Sequence, residues 1–435
     1  MNEQVKKDYT KPMILMVVIF FLFGFITSIN GIVQPALQKV FQLSDFKSNL
    51  VTFSFFTGFV VASPIATKII ASLGYKKDLV IGLLVMALGL LIFYVDAMML
   101  PGVIANGGNM DLMYYIFLFA TLVVGSGVTI LQVGANPYVV ALGDPETADS
   151  RGNTVGFFNS SATMIGPLLI GGIIFSETLS KKMSAAVDGL SSALQTEIVT
   201  ATQMPYLVLV VATVIIAVIF SFLHLPKIDS ESEEGEVVEG NPLGYSHMWQ
   251  GVLAIFMYVG AEVAIGNNLF QLINSMQANE SFELPFGLEK SAFVGMYWGG
   301  AMVGRLVGIF VMKRIKISTG LKFTTIMALI FITIGLVTTK QMSLIAFTSI
   351  GLFNSVMWPA IFPLGIAKMG KLTNKASGYM MMGVFGGALL PLMVGFIADS
   401  IGSMQMAYGI LLVAYGYLFY YAVSGSKVKS HPKLD

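Results

Sequence analysis

Apolar runs of about 20 residues recur along almost the whole of this 435-residue chain, and they limit its fold more than any other feature. A helix of about 20 apolar residues crosses the roughly 30 Å hydrocarbon core of a lipid bilayer. Of the residues, 55% are hydrophobic and only 11% are charged, whereas soluble domains carry about 25% charged residues. Because lipid offers no hydrogen-bond partners, spanning segments of this length are helices. The sequence therefore predicts an all-α membrane protein with many spans.

Hydropathy divides the chain into twelve predicted spans, six in each half. In the first half they cover residues 13–40, 48–72, 78–99, 112–142, 152–176 and 204–224. In the second half they cover residues 247–273, 290–312, 319–339, 342–368, 375–399 and 403–424. An acidic stretch between the halves, Asp229-Ser230-Glu231-Ser232-Glu233-Glu234-Gly235-Glu236, predicts a flexible linker. We therefore expect a first bundle at 1–225, a linker at 226–246, and a second bundle with a short tail at 247–435.

Charge and composition exclude several classes of function. A net charge of +1 gives no basis for binding nucleic acid. The absence of cysteine excludes disulfides, thiolate metal sites and cysteine nucleophiles, and the three histidines lie beside the linker and in the tail. About 19 of the 25 lysines and arginines, Arg305 among them, fall on the side of the termini, which the positive-inside rule places in the cytoplasm. We expect neither an enzyme nor a cofactor, and contact with lipid rather than with nucleic acid.

An internal repeat relates the two halves. Span four contains the segment 134–143 with Asn136-Pro137, and span ten contains the segment 357–366 with Trp358-Pro359 in the matching place. Span five then has glycine and proline residues at 165–172, and span eleven has a similar glycine and proline pattern at 386–392. Repeated glycine and proline interruptions are typical of transporters that bind their substrate between two halves. The alternative interpretation is that glycine permits close helix packing.

Glu262 lies in an apolar stretch, Met257 to Gly266, that has no basic residue near it in the sequence. A charged residue at the centre of a bilayer costs about 2.5–3.5 kcal/mol on insertion scales. Such an acid faces a wet cavity, binds a cation or carries a proton, and the structural alternative is a protonated acid bonded to a neighbouring helix. Of the other acids, Asp96 and Asp399 are expected at the outer ends of their spans, where water reaches them, and Asp78 and Asp144 near the inner boundary. We therefore expect Glu262 to be the residue that couples transport to a cation.

Amides recur within the predicted spans at helical spacing, so that members of each pair share a helix face. The pairs are Asn30 with Gln34, Gln132 with Asn136, Asn267 with Gln271, and Asn354 with Trp358, and span five adds Asn159. Amides donate and accept hydrogen bonds, which suits a neutral polyhydroxylated ligand, although an interhelical bond explains each single amide equally well. Phe23, Trp298 and Trp358 are expected against the apolar face of a pyranose ring. No basic residue is expected at the middle of the membrane, which argues against an anionic ligand.

Five segments follow one another in a characteristic order. They are Phe20-Phe21-Leu22-Phe23-Gly24-Phe25, Leu131-Gln132-Val133-Gly134-Ala135-Asn136-Pro137-Tyr138, Phe158-Asn159-Ser160, Tyr258-Val259-Gly260-Ala261-Glu262 and Trp358-Pro359-Ala360-Ile361-Phe362-Pro363-Leu364-Gly365-Ile366. In these segments the chain resembles the fucose/glucose-galactose permease branch of the major facilitator superfamily. The resemblance implies two pseudo-symmetric six-helix bundles and a bacterial inner-membrane importer of a glucose/galactose-type hexose that alternates access. It also implies that Asn136 and Asn159 line the sugar site, that Phe23 occupies an aromatic site, and that the protein works as a monomer.

Two positions depart from this family. Its proton-coupled members have an aspartate where this chain has Gly31 and a glutamate where it has Gln132, and neither residue exchanges a proton. Glu262 resembles an acid of the glucose/galactose-type members, some of which use sodium. We expect Glu262 to replace the missing acids, and we favour a sodium site near it over a proton. The alternatives are an uncoupled sugar facilitator and an efflux pump of the same fold, in which the 27 methionines would line an adaptable pocket.

Overall fold

The computed structural model describes residues 9–43, 45–174, 179, 182, 190–223, 225–226, 240–278 and 282–428. Every regular element in these residues is a helix, which confirms the predicted all-α class. The acidic segment 229–236 of the predicted linker lies outside the described residues, so the boundary between the two bundles stays a prediction.

Five helices of the described first half supply its six spans. They are Thr10–Val40, Asp45–Ala105, Met110–Ala141, Ala148–Ile174 and Ser192–Phe222. The second of these has 61 residues and would be about 90 Å long if straight, which is more than one crossing of a bilayer. Gly74 breaks it with a φ of 77°, a left-handed conformation that glycine adopts without a Cβ clash. Gly74 therefore separates span two from span three, where hydropathy predicted the turn.

Span six begins earlier than its predicted start at residue 204. Its helix starts at Ser192, and the hydroxyl of Ser191 caps it by accepting a hydrogen bond from the Leu194 amide. The segment from 192 to 203 is too polar to be recognised as a membrane span. Gln195 in this segment donates a hydrogen bond to the backbone carbonyl of Val40 at 3.1 Å, which ties the extension to the end of span one.

The second half supplies the other six spans, three of which are interrupted. The uninterrupted helices are Ser246–Ala278, Lys290–Val311 and Ile317–Val337. Span ten consists of Lys340–Asn354 and Met357–Gly365, bent by 43° at the break. Span eleven consists of Thr373–Gly383 and Gly386–Ile401, and span twelve of Met404–Ala407, Tyr408–Ile410, Leu411–Tyr420 and Tyr421–Gly425.

The number of spans agrees with the prediction. In the described part of the chain, nine helices are long and apolar enough to cross a membrane, or ten when the bent pair of span ten counts as one. The segment Leu50–Ala105 counts once among these although it holds two spans, and Ala148–Ile174, which is richer in polar residues, supplies the twelfth. These helices form the two six-helix bundles of the predicted fold.

One group of contacts between the two bundles lies on the side of the membrane where the described chain begins and ends. On this side Tyr9 lies beside Gly143. Four cross-bundle contacts lie nearby. They are Ser150 to the Ile309 carbonyl at 2.9 Å, Ser377 to the Val133 carbonyl at 2.7 Å, the Tyr75 hydroxyl to the Asn374 side chain, and Gly152 against Pro359. We call this set of contacts the gate, and it closes the space between the bundles on the side of the termini.

Candidate functional site

A cavity of about 300 Å³ lies between the two bundles above the gate. This volume is at the lower end of the range typical of small-molecule sites, about 300–1,000 Å³. Residues of both bundles line it, and seven of the twelve residues predicted for the site are among them. These seven are Phe23, Gln132, Asn136, Asn159, Glu262, Trp298 and Trp358. The structure therefore brings together residues that lie up to 335 positions apart in the sequence, from Phe23 to Trp358.

The wall formed by the first bundle is aromatic and amide-rich. Phe20 and Phe23 of span one pack with their ring centroids 4.9 Å apart. Asn159 of span five donates a hydrogen bond to the Phe20 carbonyl at 3.0 Å, which fixes its side chain beside these rings. Asn136 of span four donates to the Gln132 carbonyl one turn earlier at 2.8 Å. This wall presents neutral hydrogen-bonding groups next to apolar faces, an arrangement that suits a sugar.

Close approach of spans one and five depends on Gly24. A Cβ atom at this position would lie 2.6 Å from the Asn159 backbone carbonyl and closer still to its side-chain amide. Only glycine allows the two helices this separation. Gly24 is therefore part of the reason that Asn159 faces the cavity.

The wall formed by the second bundle carries the acid. Glu262 of span seven is partly exposed to the cavity, and its Oε1 accepts a hydrogen bond from the Tyr258 hydroxyl at 2.8 Å. The Tyr258 ring lies 6.4 Å from that of Trp358, and the rings of Trp358 and Phe362 stack. Trp298 of span eight completes this wall. The residue before the repeated proline thus lines the cavity in both halves, as Asn136 in span four and Trp358 in span ten.

Arg305 also lines this cavity, which corrects two expectations. It was counted with the basic residues on the side of the termini, and no basic residue was expected at the middle of the membrane. The structure places it inside the helix Lys290–Val311 of span eight, within electrostatic reach of Glu262 and Tyr258. Its Nε donates to the Ser355 carbonyl at 3.1 Å, and its Nη1 donates to the Gly156 carbonyl at 3.1 Å and to the Ser160 hydroxyl. An arginine within a predicted span is the signal that would have identified it.

Asn354, by contrast, does not line the cavity. It is fully buried, donates to the Tyr297 hydroxyl at 2.9 Å and accepts from the Tyr415 hydroxyl at 3.0 Å. Tyr297 in turn donates to the backbone carbonyl of Glu262 at 2.9 Å. Asn354 therefore holds the helix turn that carries Glu262 and has the structural role that the sequence left open as an alternative.

Two further predicted residues are not brought to the cavity, and two others have side chains that the structure does not describe. Asn267 and Gln271 of span seven are exposed and lie outside the cavity lining. The side chains of Asn30 and Gln34 lie outside the described residues. Asp399 is exposed as expected, but Asp96 is only 4% exposed, so the expected access of water to Asp96 is wrong. Asp78 is 0% exposed, and neither of its carboxylate oxygens has a hydrogen-bond partner in the described residues.

A sequence profile of the Major Facilitator Superfamily matches residues 15–391. The chain belongs to the major facilitator superfamily. It is therefore a membrane transporter and not an enzyme, as predicted.

Relatives within the superfamily carry names that refer to sugars. The chain is 35% identical over 423 residues to the glucose/galactose transporter of Brucella abortus (strain 2308), covering 97% of this chain and 96% of that protein. It is 26% identical over 430 residues to the L-fucose-proton symporter of Escherichia coli (strain K12), covering 96% and 93%. Among solved structures it resembles a major facilitator transporter in the outward conformation, FucP, with a TM-score of 0.80, 24% identity, and coverage of 96% of this chain and 99% of that one.

Proposed function

We propose that this protein imports a neutral hexose into the bacterial cytoplasm together with a proton, by alternating access between its two bundles. The observation that carries the proposal is the composition of the cavity. Neutral amides and aromatic rings form one wall, while the opposite wall holds Glu262 beside Trp298 and Trp358. The names of the relatives, which include a glucose/galactose transporter and a fucose-proton symporter, support a hexose as the substrate.

The surroundings of Glu262 support a proton rather than the sodium ion that the sequence favoured. A hard cation such as sodium needs several oxygen ligands with free lone pairs. One carboxylate oxygen already accepts a hydrogen bond from Tyr258, and the positive charge of Arg305 lies within electrostatic reach. A neighbouring guanidinium opposes the binding of either cation, but a proton binds one carboxylate oxygen directly, whereas sodium needs a coordination shell of further oxygen ligands.

The closed gate supports an outward-facing state. If the termini lie in the cytoplasm, as the distribution of basic residues predicts, the contacts of Ser150 and Ser377 close the cytoplasmic side. The similarity to a transporter in its outward conformation agrees with this orientation. Sugar and proton would then enter the cavity from outside and leave it after the gate opens.

Uptake into proteoliposomes tests the proposal. Purified full-length protein is given labelled glucose, galactose, mannose, fucose or N-acetylglucosamine, with an inward proton gradient or an inward sodium gradient imposed separately. We expect concentrative uptake of at least one hexose under the proton gradient and none under the sodium gradient alone. Accumulation driven only by sodium would restore the sodium hypothesis, equilibration without accumulation would identify a facilitator, and gradient-driven expulsion of apolar drugs would identify an efflux pump.

A further inference from the structure

We infer that Arg305 is the residue through which the charge on Glu262 controls the gate, so that a proton alone does not open it. The inference rests on the proposed proton coupling and adds the route by which Glu262 acts. Its starting point is that the guanidinium of Arg305 touches both bundles, whereas Glu262 belongs to the second bundle only.

The hydrogen bonds of Arg305 divide between the bundles. Its Nε bonds the Ser355 carbonyl within its own bundle, while its Nη1 bonds the Gly156 carbonyl and the Ser160 hydroxyl of span five in the opposite bundle. Among the described hydrogen bonds between the bundles, those of Arg305 have a charged donor, and this donor also lines the cavity. The side chain therefore joins the base of the substrate cavity to the gate.

Opening the gate removes the partners of Arg305 in span five. A charge that is out of water and loses hydrogen-bond acceptors is unfavourable unless another group replaces them. The Tyr258 hydroxyl already interacts with Arg305 and stays in place in its own bundle, and two further replacements are available on the cavity side. One is the ionised carboxylate of Glu262, which interacts electrostatically with Arg305 although the two described side chains form no direct ion pair. The other is the set of hydroxyl oxygens of a bound sugar.

Four titratable groups surround this carboxylate on the helices packed against it. They are Tyr258 on its own span, Tyr297 and Arg305 on span eight, and Tyr415 on span twelve. Arg305 is the permanently charged member of this group. The charge on Glu262 is therefore opposed chiefly by Arg305, and protonation of the acid removes the only anionic partner that this set provides.

This arrangement gives the selectivity that a symporter needs. With an empty cavity and ionised Glu262, the carboxylate compensates the charge of Arg305 and the gate opens. The unloaded transporter can therefore change between its outward- and inward-facing states. With Glu262 protonated and no sugar, Arg305 has neither the carboxylate charge nor sugar hydroxyls to replace Gly156 and Ser160, so the gate stays closed and protons do not leak. With proton and sugar both bound, sugar hydroxyls accept the hydrogen bonds of Arg305 and the loaded carrier opens. Each ligand acts through its different interaction with the open and closed states.

Proton leak without sugar is the first test. Full-length protein in proteoliposomes with a trapped pH dye is exposed to an inward proton gradient in the absence of sugar. We expect Arg305→Gln to raise the leak at least about tenfold over the parent, the lower limit for loss of one hydrogen bond to a charged group. Arg305→Lys, which keeps the charge but has fewer donors to bridge the two bundles, is expected to leak more than the parent and less than Arg305→Gln. The control is Arg314→Gln on the exposed turn after span eight, which is expected to match the parent.

Opening of the gate itself is the second test. Because the chain has no cysteine, Ser377→Cys places a single thiol at a fully buried gate position. Labelling by a membrane-permeant maleimide, without sugar and at one pH, reports gate opening. We expect Glu262→Gln, which mimics the protonated acid, to slow labelling about tenfold by the same reasoning. In the Arg305→Gln background the same change is expected to have no effect.

The outcomes separate this inference from the proposed function. Equal slowing by Glu262→Gln in both backgrounds, or a leak in Arg305→Gln no larger than in Arg314→Gln, would overturn the role of Arg305 and leave proton coupling intact. If instead Glu262→Gln still accumulates sugar, the coupling role of Glu262 fails, whatever the leak of Arg305→Gln shows. If Arg305→Gln does not fold, Arg305→Lys carries both measurements, and a leak equal to that of the parent counts against the inference.

Discussion

The Tyr297 hydroxyl on span eight donates a hydrogen bond to the backbone carbonyl of Glu262 on span seven, 2.9 Å away. This bond ends a chain of buried polar contacts that runs from Tyr415 on span twelve through Asn354 on span ten. The chain fixes the backbone of the helix turn, while the carboxylate itself meets Tyr258 in the cavity. The position of the acid is thus set by residues that do not line the cavity.

Asn354→Leu is expected to destabilise the protein and to impair transport. It leaves the Tyr415 hydroxyl without its buried partner, which costs about 1–3 kcal/mol, and it removes the hydrogen bond that the Tyr297 hydroxyl accepts. A denaturant titration of the protein in detergent measures the decrease in the free energy of unfolding. The matched control is Asn267→Leu on the exposed face of span seven, which is expected to unfold like the parent. Equal stability of the two variants would show that the polar chain contributes nothing.

Gly24→Ala is expected to weaken sugar binding indirectly, through the position of Asn159. The added Cβ would collide with Asn159 and push its side chain from the cavity wall. The control is Gly395→Ala, where a Cβ meets no atom within 4 Å. Equilibrium binding of labelled hexose to the purified variants measures the effect. Parent-like affinity of Gly24→Ala would mean that the fixed position of Asn159 is not needed for binding.

Asn136→Ala is expected to weaken sugar binding by about 1–3 kcal/mol, because a buried hydrogen bond to the ligand is lost. Gln271→Ala, which removes an exposed amide outside the cavity, is expected to bind sugar like the parent. Calorimetric titration with the transported hexose compares the two variants. If Asn136→Ala keeps full affinity, the amide serves packing through its bond to Gln132 and its contact with Met381.

The fold and the position of Glu262 could be predicted from the sequence because both depend on local signals. A run of apolar residues identifies a span regardless of its neighbours, and an acid in the middle of such a run stands out. The residues behind Glu262 could not be predicted in the same way. Tyr297 and Tyr415 lie 118 positions apart in the sequence, and which helices pack together is not a property of either segment.

The pair Asn354 and Trp358 shows a second limit. Residues four apart share a face only while the helix continues. The helix of span ten ends at Asn354 and the next begins at Met357 with a 43° bend, so Asn354 turns to Tyr297 and Tyr415 while Trp358 turns to the cavity. Arg305 was missed for a different reason. Assigning each basic residue to one side of the membrane takes no account of its depth within the bilayer.

Concentrative uptake by Glu262→Gln tests the proposed coupling most directly. The variant keeps the size of the side chain and its capacity to accept from Tyr258, but it can no longer bind and release a proton. In proteoliposomes with an imposed proton gradient, we expect Glu262→Gln to lose accumulation of hexose while it retains exchange of labelled for unlabelled sugar at equal concentrations. Accumulation at the level of the parent would contradict the role of Glu262 as the proton carrier.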